Sequence, residues 1–153
     1  MENRDELIKK AESKVGKIPK KYIPKSLSIK DLKKQLKSIV EEKDRPKLKS
    51  FTSKKSNYTE KASLYFGKGN TSKEDISKIL SKNNKKREKE IYKGLDEIFK
   101  KGEAAYYTSG SRPNQTSQSW AYARIFSVLF GGKARNIDKN IVENYNIPLL
   151  TIN

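Results

Sequence analysis

The chain has 153 residues, enough for one domain of ordinary size, of which 33% are hydrophobic and 35% charged. It contains no cysteine and no histidine, which excludes disulfides, thiolate nucleophiles, imidazole bases and ordinary zinc sites. The formal net charge is +17, and so basic a balance implies a polyanionic partner, nucleic acid first and an anionic membrane surface second.

The charge is uneven. Residues 1–102 hold 30 Lys/Arg against 15 Asp/Glu, whereas residues 103–153 hold 5 against 3. The single Trp and half of the aromatics fall in that last third. Composition therefore predicts three parts: a charged, mobile arm over 1–20, a basic helix and loop over 21–57, and a main globular module over 58–153. No apolar run is long enough for a transmembrane helix, and the first residues lack the apolar region of a secretory signal.

In chain order, residues 6–15 have few apolar anchors and read as a short charged helix stopped by Gly16 and Pro19. Pro24 marks an extended connector. Ser28-Ile29-Lys30-Asp31 has capping-box spacing and opens a helix to about Val40. Its apolar stripe is Ile29, Leu32, Leu36 and Ile39, and Lys30, Lys33, Lys34 and Lys37 fill the rest. Asp44-Arg45-Pro46 ends that helix, and a basic loop follows. A helix over 58–66 turns Ala62, Tyr65 and Phe66 inward and stops at Gly67. Ser72 caps a short helix through Ile76, Ile79 and Leu80. A further helix through Ile91, Leu95, Ile98 and Phe99 closes at Lys101-Gly102. Tyr106-Tyr107-Thr108 has strand-like content and predicts a short strand over 104–108. The fold class is accordingly mainly α, with α+β as the variant if that strand, or a second one, forms.

The loop over 109–117 does not resemble its surroundings: lysines stop, and small, amide and arginine residues arrive together. It feeds a helix over 119–130 that is apolar nearly all round and ends at Gly131-Gly132. A polar, glycine-containing loop entering a helix N-terminus is a natural anion site. Ser109, Gly110, Ser111, Arg112, Asn114, Gln115 and Thr116 are the candidate anion or nucleic-acid contacts, with Lys133 and Arg135 adding charge beyond the helix. Asn114, Thr116 or Ser117 serves as its cap. Arg124 lies mid-helix in apolar surroundings and needs a partner. Glu103 is the nearest upstream acid, and Trp120, one turn earlier, is placed to stack on the guanidinium. Glu103, Tyr107, Trp120 and Arg124 therefore form the expected pocket support. The other reading of the loop is structural, its side chains satisfying caps and turns. A last helix through Ile141, Val142 and Tyr145 takes Asn136 or Asp138 as cap and ends before Pro148.

No catalytic constellation stands out. Ser109 and Ser111 have no base nearby in sequence, paired carboxylates for metal-assisted hydrolysis are not evident, and no phosphate-loop glycine pattern is present. Nothing calls for a cofactor or a metal.

The string Gly102-Glu103-Ala104-Ala105-Tyr106-Tyr107-Thr108-Ser109-Gly110-Ser111-Arg112-Pro113-Asn114-Gln115-Thr116, with Ser119-Trp120-Ala121-Tyr122-Ala123-Arg124 and Gly131-Gly132-Lys133-Ala134, resembles the signature of an uncharacterised family of small basic proteins encoded by large DNA viruses, giant viruses among them. The resemblance spans the signature segment 102–135 best and supplies no catalytic residues. It implies a viral origin and a place in the virion or in the viral factory of the host cytoplasm. Together with the charge, it leads to the expectation of a viral protein that binds DNA or RNA mainly through phosphates. The alternatives are a virion structural or protein-interaction module, with virion proteins as partners, and an enzyme acting on a phosphorylated or nucleic-acid substrate.

Overall fold

The computed structural model describes residues 3–48, 57–108 and 113–152. Among the described residues there are eight α-helices and no strand. They are α1 (Arg4–Val15), α2 (Ile29–Val40), α3 (Asn57–Phe66), α4 (Lys73–Ser81), α5 (Lys85–Thr108), α6 (Ser117–Leu129), α7 (Lys133–Ile137) and α8 (Lys139–Tyr145), with a 3-10 turn at Lys20–Tyr22. No described helix is long and apolar enough to cross a membrane.

The mainly helical class is the one observed, and the strand over 104–108 is not. α5 runs 24 residues, straight through Gly102 to Thr108. The reason lies in a stripe that continues past the expected stop. Ile91, Leu95, Ile98, Gly102 and Tyr106 are all buried and fall three or four residues apart, the spacing of one helix face. Strand propensity in Tyr and Thr reflects packing on a half-buried surface more than backbone preference, so this stripe prevails.

The chain divides into two compact units, Met1–Lys54 with Glu103–Trp120, and Lys55–Gly102 with Ala121–Asn153. In the first unit α1 packs on α2. Its core comprises Leu7, Ala11, Ile18, Tyr22, Ile23, Leu27, Leu32, Leu36, Ile39 and Leu48, with Trp120 against it. Residues 1–20, expected as an arm, thus include a helix with buried anchors. Part of what joins it is polar: Arg4 donates to the carbonyls of Leu27 and Ile23, each at 3.1 Å, and to that of Pro24. α2 starts where its capping box lies, with the Asp31 amide donating to Ser28 Oγ at 3.1 Å. Such a cap is worth about 1 kcal/mol. Burial of Leu32, Leu36 and Ile39 contributes about 2 kcal/mol each, so packing rather than the cap decides that α2 forms. Ile29, expected in the stripe, is 40% exposed, and Gln35 is buried in its stead. Gln35 Nε2 donates to the Tyr22 carbonyl at 2.9 Å.

The second unit packs α3, α4, the first part of α5, most of α6, and α7 and α8 around Ala62, Phe66, Ile76, Ile91, Leu95, Ile98, Ile125, Val128 and Leu129. α4 opens on Ser72, whose Oγ accepts from the Asp75 amide at 3.0 Å. The C-terminal segment closes on this core. The Leu150 amide donates to the Leu129 carbonyl at 2.7 Å, and the Leu150 side chain is buried. Arg135 holds the same segment through the carbonyls of Ile147, at 3.0 Å, and Pro148, at 3.3 Å.

Gly102 does not end α5; it lets α6 come close. A Cβ built there would lie 2.8 Å from Ala121 Cα and 3.2 Å from Ala121 Cβ. Gly→Ala inside a helix ordinarily stabilises by about 1 kcal/mol. Overpacking against backbone reverses the sign, by about 1–3 kcal/mol. Gly102→Ala is expected to lower stability in urea denaturation, and a stabilised variant would show the close approach to be dispensable.

Candidate functional site

Ser109, Gly110, Ser111 and Arg112 lie outside the described residues. The remaining predicted residues separate between the two units. Lys133 and Arg135 belong to the second unit, with Arg124. Lys133 is exposed at the start of α7. The Arg135 guanidinium is engaged by three carbonyls, those of Ile147 and Pro148 and that of Val128 at 2.9 Å. It fixes the chain end.

Arg124 has a different partner from the one expected. Its Nε and Nη2 donate to the two carboxylate oxygens of Asp138, each at 2.8 Å. Asp138 is fully buried, and its hydrogen bond pushes the Arg124 pKa upward against the opposing effect of burial. Asp138 is also the residue before α8, yet its side chain makes no cap bond there. The carboxylate expected as a helix cap serves the guanidinium instead. Glu103, one unit away by the contact division, forms no ion pair among the described residues. Trp120 meets Tyr22 edge-on, with ring centroids 5.9 Å apart, and takes its place in the first unit's core.

The other predicted residues gather in the first unit around Tyr106, which is fully buried. Its hydroxyl accepts from the Arg45 amide at 2.6 Å and donates to the Gln115 carbonyl at 2.7 Å. Its carbonyl accepts from Arg45 Nη2 at 2.7 Å, and the guanidinium lies 5.0 Å from its ring centroid. Arg45 Nη1 donates to Ser38 Oγ at 3.1 Å and to the Lys43 carbonyl at 2.9 Å. Asn114 takes a left-handed backbone, φ 65°, a conformation asparagine tolerates better than most residues. Its amide donates to the Pro46 carbonyl at 3.0 Å, and its side chain pairs with both polar backbone groups of Leu48. Asn114 thus works as a clamp on the 46–48 segment.

Thr116 caps α6 reciprocally with Ser119: each backbone amide donates to the other's hydroxyl, both at 3.0 Å. The helix therefore begins at Ser117, two residues earlier than its apolar pattern indicates. Gln115 contributes its carbonyl to Tyr106 and its side-chain oxygen to Ser119 Oγ at 2.9 Å.

Between the α6 start and the Arg45 segment lies a cleft of about 350 Å³, lined by Asp44, Arg45, Lys47, Tyr107 and residues 115–118. Arg45 is 5% exposed. Burial pushes its pKa below the usual arginine value, with Tyr106 and Asp44 acting in the opposite direction. Tyr107 donates its hydroxyl to Asp44 Oδ1 at 2.7 Å on the exposed side. Asp44, Arg45 and Lys47 were not among the predicted site residues, because Asp44-Arg45-Pro46 reads as a helix breaker. The available signal was rarity: Arg45 is one of only 6 arginines among 35 basic residues.

This arrangement falls wholly inside a recognised family span. The chain belongs to the family of unknown function DUF5824. The DUF5824 model matches residues 19–146, which takes in Arg45, Tyr106, Asn114 and α6 and leaves α1 outside. No curated protein and no solved structure matches the chain.

Two pairs of substitutions test the roles just described. Tyr106→Phe leaves the Arg45 amide and the Gln115 carbonyl without their partner and is expected to cost about 2–4 kcal/mol. Tyr107→Phe, on the exposed side, is expected to cost less than about 1 kcal/mol. Equal losses in urea denaturation would contradict the central place of Tyr106. Asp138→Asn keeps the shape but leaves Arg124 uncompensated, and a loss of about 3 kcal/mol is expected. Glu103→Gln is the comparison and should be close to neutral.

Proposed function

We propose that the protein associates with nucleic acid through its phosphates, using a lysine-bordered groove between α1 and α2. The observation that carries this reading is the groove itself. It measures about 290 Å³ and has Lys10 and Lys14 on one helix and Lys33 and Lys37 on the other, over a floor of Leu7, Ala11, Leu36 and Val40. Each pair is one helical turn apart, so two rows of ammonium groups run beside one depression. All four lysines are exposed, and none is ion-paired among the described residues. The one acid at the rim, Glu41, has Lys43 at 3.6 Å. Unpaired like charges held side by side repel, and a phosphate backbone relieves that repulsion while releasing its own counterions.

Fully extended chain is not needed to gather this charge. The first unit holds 18 Lys/Arg against 9 Asp/Glu, the second 17 against 9. The positive field belongs to both units rather than to an N-terminal arm. Lysine ammonium groups are strongly hydrated point charges on flexible stems, suited to tracking a backbone without reading bases. The reading is therefore sequence-independent binding. The likeness to viral proteins supports a viral setting, in the virion or the viral factory, for that activity.

Binding to duplex and single-stranded DNA and RNA should fall steeply with salt, with a log–log slope of several units, about 0.9 for each phosphate contacted on B-DNA. The double change Lys33→Gln, Lys37→Gln should reduce that slope by about 2 with little effect on the melting temperature. The pair Lys85→Gln, Lys86→Gln on α5 removes the same charge elsewhere and should reduce it less. Equal reductions would place the contacts outside the groove, and a salt-insensitive affinity would reject the reading altogether.

A further inference from the structure

We propose that the cleft beside Arg45 is a separate site for a single phosphate group, either free orthophosphate or the terminal phosphate of a nucleic-acid chain. The first observation is a buried guanidinium with no ion-pair contact, Asp44 acting on it only at longer range. Arg45 is 5% exposed, and no ion pair among the described residues includes it. Its Nε is buried with no hydrogen-bond partner. Arg124 shows what the same edge of a guanidinium does when satisfied, since its Nε and Nη2 together hold the Asp138 carboxylate. On Arg45 that edge reaches only one neutral acceptor, the Tyr106 carbonyl, through Nη2. A buried guanidinium lacking an anion is costly, and an oxyanion in the cleft that Arg45 lines would supply one.

The second observation is independent of the first. α6, 13 residues long, begins at this cleft, and Ser117 and Gln118 line it. The amides of Ser119 and Trp120 are already taken by Thr116, through its hydroxyl and its carbonyl. Those of Ser117 and Gln118 make no hydrogen bond to a described residue. Two open amides at the positive end of a helix dipole suit an anion. Lys47, exposed at the same cleft, adds a mobile positive charge. Asp44 is the one acid there, and its Oδ1 accepts the Tyr107 hydroxyl. Its charge opposes a bound anion, which gives the proposal a test of sign. This site differs from the α1–α2 groove in binding one phosphate by fixed donors rather than a chain of them by mobile lysines.

Replacing Arg45 risks unfolding the unit, so the decisive variants lie at the rim. Gln118→Glu places a negative charge on the first turn of α6, where it favours the helix and repels an anion. Asp44→Asn removes the opposing charge and keeps an oxygen for Tyr107. The full chain is titrated with orthophosphate, against chloride at equal ionic strength, at a salt concentration that suppresses groove binding. The amide resonances of Ser117 and Gln118 are followed by NMR. We expect saturable, one-to-one shifts at these amides, weakened roughly tenfold or more by Gln118→Glu and strengthened several-fold by Asp44→Asn. The Lys33→Gln, Lys37→Gln protein should respond as the parent does, whatever becomes of its binding to DNA. A 5′-phosphorylated dinucleotide and its unphosphorylated form separate the two sources of phosphate. Binding of the phosphorylated form alone assigns a chain terminus, and binding of orthophosphate without either dinucleotide assigns free phosphate. Shifts no larger than those in chloride, shifts confined to α2, or affinities indifferent to both rim variants would overturn the proposal.

Discussion

The first unit depends on the meeting of Arg45 with Tyr106. These residues stand 61 positions apart in sequence, and the end of α5 reaches the 45–48 segment by way of them. One tyrosine supplies a ring face, a hydroxyl oxygen and a carbonyl to one arginine, and its hydroxyl donates a hydrogen bond to the Gln115 carbonyl. Asn114 then fastens Pro46 and Leu48. The arrangement places Leu48 in the core and orients the first turn of α6 beside Arg45. Hydrophobic burial supplies most of the stability of such a unit, but it does not specify a register. The polar contacts do, since each buried donor must find its acceptor or lose its desolvation energy.

How much of this could be read from sequence follows from how local each cause is. Ser28 and Ser72 cap their helices as their spacing indicates, because a cap involves residues three apart. The helical stripes of α2 and α5 were legible for the same reason. Gly102 misled, because a glycine after a lysine near an expected helix end has the same letters as a glycine that admits a neighbouring helix. What distinguishes them is Ala121 at 2.8 Å from the missing Cβ, and that is a fact of packing. The sequence offers Glu103 upstream as a partner for Arg124, although Asp138 is nearer, 14 residues on, because Asp138 reads equally well as a helix cap. Of the residues that line the cleft, the sequence singles out Tyr107, Gln115 and Thr116 but not Arg45 and Lys47. Their segment arrives from across the fold, and no periodicity announces it.

Arginine and lysine have divided the electrostatic work. Every described arginine is bonded to the protein itself. Arg4 and Arg135 grip carbonyls, Arg87 grips Glu90 together with the carbonyls of Tyr145 and Asn146, Arg124 grips a carboxylate, and Arg45 grips Tyr106. The planar fork of five donors suits such fixed geometry. The lysines stay mostly in water and carry the field. A notable exception is Lys73, held between Asp96 at 2.8 Å and the Phe99 ring at 4.1 Å.

That division sets which mutations the chain absorbs silently. A single G-to-A change converts an AGA codon into AAA, so a genome drifting towards A and T steadily exchanges arginine for lysine. On the solvated surface the exchange keeps the charge and changes little else. At the buried guanidinium forks it removes donors that an ammonium on a flexible stem does not replace. The chain has 29 lysines and 6 arginines, and each described arginine sits where such an exchange would remove bonds to the protein.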